Sequence, residues 1–245
     1  MVVNKRIILL MFLAAIGIGS LLAYRNYTQT NRSVSTLGQL ALEEQNAWRA
    51  IESLGISKDN CYKKAQKIEI VLRNEESPTV DKTLSENTRA IVNEVLRVCG
   101  INPETISLIV INDAPCAAGA NNDSIAINPT LFESLPIHAQ KFVIAHEAQH
   151  IIHKDSLVKD IIMEEVKDKS LDYTSIDCPV NQLSRFFENR ADILAALLGK
   201  DYAKGYQDRA ELWVKNNKSN PGTTHPKHET RLALAQEIYS AMQTA

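Results

Sequence analysis

The chain has 245 residues, of which 44% are hydrophobic and 23% charged, so one or two domains with a substantial apolar core are expected. Its formal net charge at pH 7 is -2, and its basic residues are scattered without an accompanying cluster of aromatic side chains for base stacking. These features argue against a protein that binds nucleic acid, and no nucleic-acid partner is expected.

Residues 7–23 form an apolar run without a charge. As a helix, the run would span roughly 25 Å, slightly less than the hydrocarbon core of a bilayer. Lys5 and Arg6 precede it, and no small-residue cleavage site of the A-x-A kind follows it. The sequence predicts an uncleaved signal anchor over residues 1–25, with the rest of the chain on the extracytoplasmic side (periplasmic in a bacterium). The alternative is a cleaved signal peptide and a secreted or periplasmic protein.

Residues 26–80 are predicted to form a polar tether and a helical spacer. The stretch 26–37 is rich in Asn, Thr, Ser and Gln, and apolar residues recur at helical spacing from Gly38 until Gly55. A second helix is predicted over 61–73, followed by a break that contains Pro78. The main domain is therefore expected over residues 81–245.

The main domain is predicted to be mainly helical with a small β-sheet. Ser85 is a suitable N-cap for a helix over 86–98. β-branched residues predict strands over 106–111 and 124–128, with a loop at 112–122 between them. Further helices are predicted over 129–135, 157–169, 181–198, 201–217 and 226–242, besides the helix that follows Pro136. The expected fold class is α+β.

The segment FVIAHEAQH contains the spacing H-E-x-x-H, formed by His146, Glu147 and His150. Residues four apart on an α-helix lie on one face, so the two imidazoles can bind one Zn²⁺, with Glu147 beside them as a general base. The apolar run before His146 predicts a buried helix, on which these polar side chains need partners. A solvent-facing helix with two surface histidines is the alternative, because this short motif also occurs by chance.

A zinc hydrolase needs a third protein ligand and an open fourth position. His153 lies about 10.5 Å from His146 along the helix axis, too far for both to bind one ion with bonds of about 2.1 Å. Glu188 and Asp192 lie four apart on a later, otherwise apolar helix. One of them can bind zinc, and the other can accept the free N–H of a zinc-bound histidine. A surface Glu–Arg–Asp cluster is the alternative interpretation.

The four cysteines do not form a C-x-x-C pair, so a cysteine-ligated zinc is not expected. In an oxidising compartment they could form up to two disulfides, and buried free thiols are the equal alternative. The cysteines are Cys61, Cys99, Cys116 and Cys178.

Three motifs follow one another in the later part of the chain: HEAQH at 146–150, ENRAD at 188–192, and THP at 224–226 followed by Glu229 and Arg231. This combination resembles the gluzincin peptidases of the HtpX and CAAX prenyl protease type. The order strand, Ala/Gly-rich loop, short strand and zinc helix agrees with that family. The family's usual Asn-Ala pair before the second strand is not plain here.

The resemblance implies a zincin-like (gluzincin) peptidase fold with one zinc ion per chain, bound by His146, His150 and Glu188. It also implies that Glu147 is the general base and that Asp192 orients a ligating histidine.

The resemblance further implies that His225 and Arg231 lie near the catalytic centre, where His225 would stabilise the oxyanion, with His228 as its rival for that role. The substrate peptide is expected to lie extended beside an edge strand near residues 124–128.

The expected function is that of a membrane-anchored zinc metalloendopeptidase acting on protein or peptide substrates. Membrane or envelope protein quality control is the expectation at the level of the family, and residues 7–23 would provide the contact with the membrane. One alternative is a zinc-stabilised, non-catalytic binding or chaperone module at the membrane. Another is a zinc hydrolase that acts on something other than peptides.

Overall fold

The computed structural model describes residues 31–75, 81, 83–216 and 224–244. The predicted signal anchor over 1–25 and the break at Pro78 lie outside these residues. Within the part of the chain that is described, none of the helices has the length and apolar character needed to cross a bilayer.

The described chain is mainly helical, with one small sheet, and this confirms the predicted α+β class. The helices are α1 (Asn31–Glu52), α2 (Lys58–Glu75), α3 (Glu86–Val98), α4 (Pro129–Glu133), α5 (Ile137–His153), α6 (Asp155–Val166), α7 (Pro179–Ala196), α8 (Lys200–Lys215) and α9 (His228–Gln243). The strands are β1 (Ser107–Val110), β2 (Ala118–Asn121) and β3 (Ser124–Ile127).

The sheet differs from the prediction in its number of strands and in its edge. Its strand order is β1-β3-β2, with β1 parallel and β2 antiparallel to β3. The segment 118–121 had been predicted as part of a loop, because Ala-Gly-Ala-Asn has little intrinsic preference for a strand. Pairing with β3 makes it a strand. The prediction that an edge strand lies at 124–128 is therefore wrong, since β3 is the central strand and is paired on both sides.

Helix α5, which carries the H-E-x-x-H motif, lies at the centre of the molecule. All of its residues from Phe142 to Gln149 are buried. It packs against α7, α8, α3 and strand β2. The contact with α8 is tight, because a Cβ added to Gly205 would lie 2.0 Å from the carbonyl oxygen of His138. The helix is thus held on several sides by apolar neighbours, which fixes the direction of its polar face.

Helices α1 and α2, the predicted spacer, share the apolar core with the rest of the described chain. Helix α1 packs against α7, and α2 packs against α6. Trp48 and Ile51 of α1 and Cys61 of α2 are buried. Helix α1 begins at Asn31, seven residues before the start that the apolar pattern predicted.

Candidate metal centre

Three side chains that were predicted as metal ligands converge at one point. His146 and His150 lie one turn apart on α5, and their Nε2 atoms are 3.1 Å apart. Glu188 of α7 faces them, with Oε2 lying 3.4 Å from His146 Nε2 and Oε1 lying 3.6 Å from His150 Nε2. Among the residues described, these three form a group whose ligand atoms all lie within 4.8 Å of one another and which could hold a metal ion.

The orientation of the two imidazoles favours a cation between them. His146 Nδ1 lies 2.9 Å from Asp192 Oδ1, and His150 Nδ1 lies 2.8 Å from Asp155 Oδ2. Because ionised carboxylates only accept hydrogen bonds, each Nδ1 is the natural place for the ring proton. Both Nε2 lone pairs then point toward the same space, together with the Glu188 carboxylate. Two lone pairs and a negative charge at such short range require a positive charge among them.

The spacing of the ligand atoms also fits zinc. Ligands bonded at about 2.1 Å in a tetrahedron lie about 3.4 Å from one another. The observed separations of 3.1, 3.4 and 3.6 Å bracket that value. Two histidines and one glutamate, with a fourth side open to a cavity, are the ligand set of a catalytic rather than a structural zinc site.

Asp192 is fully buried and is held from two further directions. Arg231 of α9 donates two hydrogen bonds to it, from Nε to Oδ2 and from Nη2 to Oδ1, both 2.7 Å long. The hydroxyl of Tyr206 on α8 donates a third, at 3.1 Å. Arg231 thus acts on His146 through Asp192 and fixes the direction of the imidazole ring.

Asp155 gives His150 an equivalent support, which no sequence motif predicted. It forms an ion pair with the buried Arg190 of α7, which lies 5.0 Å from the ring centroids of both Phe186 and Phe187. His146 and His150 therefore each contact an aspartate, and each of these aspartates pairs with an arginine.

The turn between α5 and α6 explains why Asp155 was missed. On an uninterrupted helix, residues five apart point about 140° away from each other. Lys154, however, has a φ of 59° and a ψ of 35°, in the left-handed region that non-glycine residues rarely occupy. This turn ends α5 and brings Asp155 back against His150. Local strain of this kind is typical of functional sites.

The charges of the centre shift the pKa values of its members in opposite directions. Burial by itself lowers the pKa of His146, but the close carboxylates of Asp192 and Glu188 prevail and raise it to about 10. Burial by itself raises the pKa of Glu188, but its interaction with the nearby His146 and the charges of His150 and His225 outweigh burial and lower this pKa. The site thus strongly favours positive charge beside Glu188, which a metal ion would supply in place of protons.

A cavity of about 570 Å³ opens on the metal ligands. Glu147 lines it, as do Ala118, Gly119 and Ala120 of β2. Glu147 is therefore placed to face a bound molecule. The edge strand of the sheet forms one wall of the same cavity.

Three other histidines lie in surroundings that differ from those of His146 and His150. His225 lines the cavity and places Nε2 3.4 Å from Glu188 Oε2. His228 also lines the cavity, but its ring stacks on Trp213 with a centroid separation of 5.5 Å. His153 is buried outside the group of three ligands, and burial together with the charge of Arg190 lowers its pKa to about 3. His153 therefore stays neutral.

All four cysteines are free thiols. Cys61, Cys99 and Cys178 are buried, whereas Cys116 is exposed beside β2 and lines the cavity. Of the two alternatives from the sequence, the structure agrees with free thiols.

Comparisons with known proteins bear on one segment of the chain. The model of Peptidase family M48 matches residues 83–174, which include α3, the sheet and the H-E-x-x-H helix. Glu188, Asp192, His225 and Arg231 lie beyond the matched segment. A comparison with curated proteins and one with solved structures gave no significant match. The match confirms the resemblance predicted from the motifs: the segment with the histidine-bearing helix is similar to Peptidase family M48, a family of metallopeptidases.

Proposed function

We propose that the protein is a zinc-dependent endopeptidase that hydrolyses peptide bonds in protein substrates. The observation that carries the proposal is the convergence of His146, His150 and Glu188 within 4.8 Å, beside a cavity that Glu147 and an edge strand line. The family match supports the same class of chemistry. The open side toward the cavity favours hydrolysis over a closed, purely structural site.

Zinc bound by the three ligands would supply an acidified water and a Lewis acid for the scissile carbonyl. Glu147, as the general base, takes the proton of the attacking water and returns it to the leaving amine. Asp192 and Asp155 keep the two imidazoles oriented, through the contacts at their Nδ1 atoms. His225, on the cavity side of Glu188, donates a hydrogen bond to the developing oxyanion.

The substrate lies extended along β2 in this proposal. As an edge strand, β2 has one side on which backbone groups can pair with a peptide, and its small side chains leave the cavity accessible. Pairing through the backbone holds the scissile bond without requiring a particular residue in the substrate.

The experiment compares casein cleavage and zinc content of the full chain with those of Glu147→Gln. Loss of the general base is expected to slow cleavage by about 10²- to 10⁴-fold, while zinc content and thermal unfolding stay close to the wild type. Glu164→Gln, at an exposed position on α6, is the matched control and is expected to behave like the wild type. Stoichiometric zinc without cleavage by the wild type would favour a binding or chaperone module, and unchanged cleavage by Glu147→Gln would exclude the proposed role of Glu147.

The proposal includes a membrane anchor formed by residues 7–23, with the peptidase domain on the extracytoplasmic side, where it would act on membrane or envelope proteins. The support is the uncharged apolar run with Lys5 and Arg6 before it. Extraction of cell membranes with alkaline carbonate tests this part. Retention in the membrane pellet is expected, and release would instead indicate a peripheral or secreted protein.

A further inference from the structure

Arg209 of α8 is a charged side chain in the cavity that the proposed mechanism does not use. It lines the cavity together with the metal ligands. Its guanidinium carbon lies 5.0 Å from the ring centroid of Trp213, and the guanidinium carbon of Arg231 lies 3.8 Å from the same centroid. Two guanidinium groups thus pack against Trp213. Within the described residues, Arg231 pairs with a carboxylate and Arg209 does not.

The positive charge of Arg209 has no ion-pair partner within the described part of the chain. Arg190 and Arg231, the buried arginines of the centre, each pair with an aspartate, but no Asp or Glu oxygen among the described residues lies within 4.0 Å of Arg209. The segment 217–223, which follows α8 directly, contains neither Asp nor Glu. Within the described part of the chain, the charge of Arg209 is therefore available to an added anion.

The surroundings of Arg209 make an unpaired charge costly. Its Nε is buried and lacks a hydrogen-bond partner. Burial, together with the charge of Arg231, lowers the pKa of Arg209, yet an arginine remains protonated in proteins. An incoming anion would satisfy both the charge and the unmet donor.

The guanidinium geometry narrows the choice of anion. Its planar fork of donors matches the two oxygens of a carboxylate, and the flat face of Trp213 restricts the plane in which it lies. Arg209 and the proposed catalytic carboxylate of Glu147 line the same cavity. A peptide in the cavity would pass within reach of both.

We propose that Arg209 is a specificity-determining residue that binds a carboxylate of the peptide substrate close to the scissile bond. The carboxylate is either an acidic side chain or the free C-terminus of the peptide. This inference rests on the proposed peptidase function and deepens it, because it defines a class of preferred substrates.

The test uses fluorogenic peptides built on one cleaved casein sequence, with the zinc-loaded full chain. One series places Glu or Gln at each of three positions on either side of the scissile bond. A second series compares a free C-terminal acid with the amide. For at least one pair, the wild type is expected to show a kcat/KM ratio of acid to amide of about 10 to 100, the range for a hydrogen bond to a charged group.

The same ratio is then measured in three variants. Arg209→Gln is expected to bring the ratio of acid to amide close to one. Arg209→Lys is expected to keep part of the preference, because lysine retains the positive charge but lacks the planar set of guanidinium donors. Arg97→Gln, at an exposed position on α3 outside the cavity, is the control and should keep the wild-type ratio. The series in which the ratio appears identifies the source of the carboxylate.

Binding provides a readout that does not depend on turnover. In the Glu147→Gln background, fluorescence anisotropy should show tighter binding of the acid peptide than of its amide, and Arg209→Gln should remove that difference. A wild-type ratio near one, or a ratio that survives Arg209→Gln, would overturn the inference. Cleavage of the amide peptides by the wild type tests the peptidase proposal separately, so failure of one is distinguishable from failure of the other.

Discussion

Each of the two histidines proposed to bind zinc contacts a buried aspartate, and the effect of that contact can be measured one residue at a time. Asp192 contacts His146 at 2.9 Å and neutralises Arg231. Asp192→Asn removes the negative charge and leaves Arg231 buried without its counter-ion. We expect zinc affinity to fall by about 10- to 100-fold, as is typical for partners of metal-bound histidines. Competition with a chelator measures the affinity.

The control for this variant is Asp160→Asn, at an exposed position on α6. It should keep wild-type affinity. Equal zinc affinity in Asp192→Asn and the wild type would show that the aspartate does not support the ligand.

The thiols predict a pH-dependent pattern of chemical labelling. Burial raises the pKa of Cys99 to about 12, so this thiol stays protonated from pH 7 to pH 9 and is a poor nucleophile. Burial and the charge of Glu147 also raise the pKa of Cys116, but this residue is exposed. Maleimide labelling followed by peptide mass mapping should find Cys116 labelled faster as the pH rises, and Cys99 unlabelled throughout. Equal labelling of both thiols would contradict the buried position of Cys99, which is the C-cap residue of α3.

At the scale of elements, the contact between α5 and α8 depends on one glycine. A Cβ at Gly205 would lie 2.0 Å from His138 O and 2.8 Å from Phe142 Cβ. Gly205→Ala is therefore expected to lower the free energy of unfolding by about 1 to 3 kcal/mol, the usual cost of overpacking. This cost outweighs the helix propensity that alanine adds, about 1 kcal/mol. Urea unfolding measures the change.

Gly38 provides the matched control. It is an exposed position in α1, and an added Cβ would have no atom within 4 Å. Gly38→Ala should leave the free energy of unfolding unchanged or raise it by about 0.5 to 1 kcal/mol. Stabilisation by both substitutions would show that the two helices are not in close contact.

Local signals were sufficient to predict most helices but not every contact between them. Ser85 caps α3 as predicted and accepts a hydrogen bond from the Thr88 amide. The spacing of the histidines and the later E-x-x-A-D motif were enough to predict His146, His150 and Glu188 as neighbours. Strand β2 was missed because its identity comes from pairing with β3, and not from its own residues.

The supports of His150 depend on contacts that a sequence pattern does not contain. Asp155 reaches His150 only because Lys154 adopts a left-handed conformation. The sequence did not indicate this conformation, because the position is occupied by lysine and not by glycine or asparagine. Arg190 lies within the predicted ENRAD motif, but its pairing with Asp155 depends on how α6 packs against α7.

At the scale of the whole molecule, zinc should stabilise a fold that does not require it. The apolar core extends from α1 to α9, well beyond the metal ligands. With free zinc at 100 times its dissociation constant, binding contributes about 2.7 kcal/mol, which corresponds to roughly 5 to 10 °C in the unfolding temperature. Calorimetry with and without EDTA measures the shift. Full unfolding by EDTA at 25 °C, or an unfolding temperature that does not change, would contradict this prediction.

Arg231 is the last of the residues that hold the centre together to leave the ribosome. His146, Glu188 and Asp192 are all synthesised before it, and until it arrives the Asp192 carboxylate has no guanidinium to face. A nascent chain can therefore collapse around its apolar core while its ligands remain loosely arranged. The direction of the His146 imidazole is therefore fixed only after Arg231 has reached Asp192.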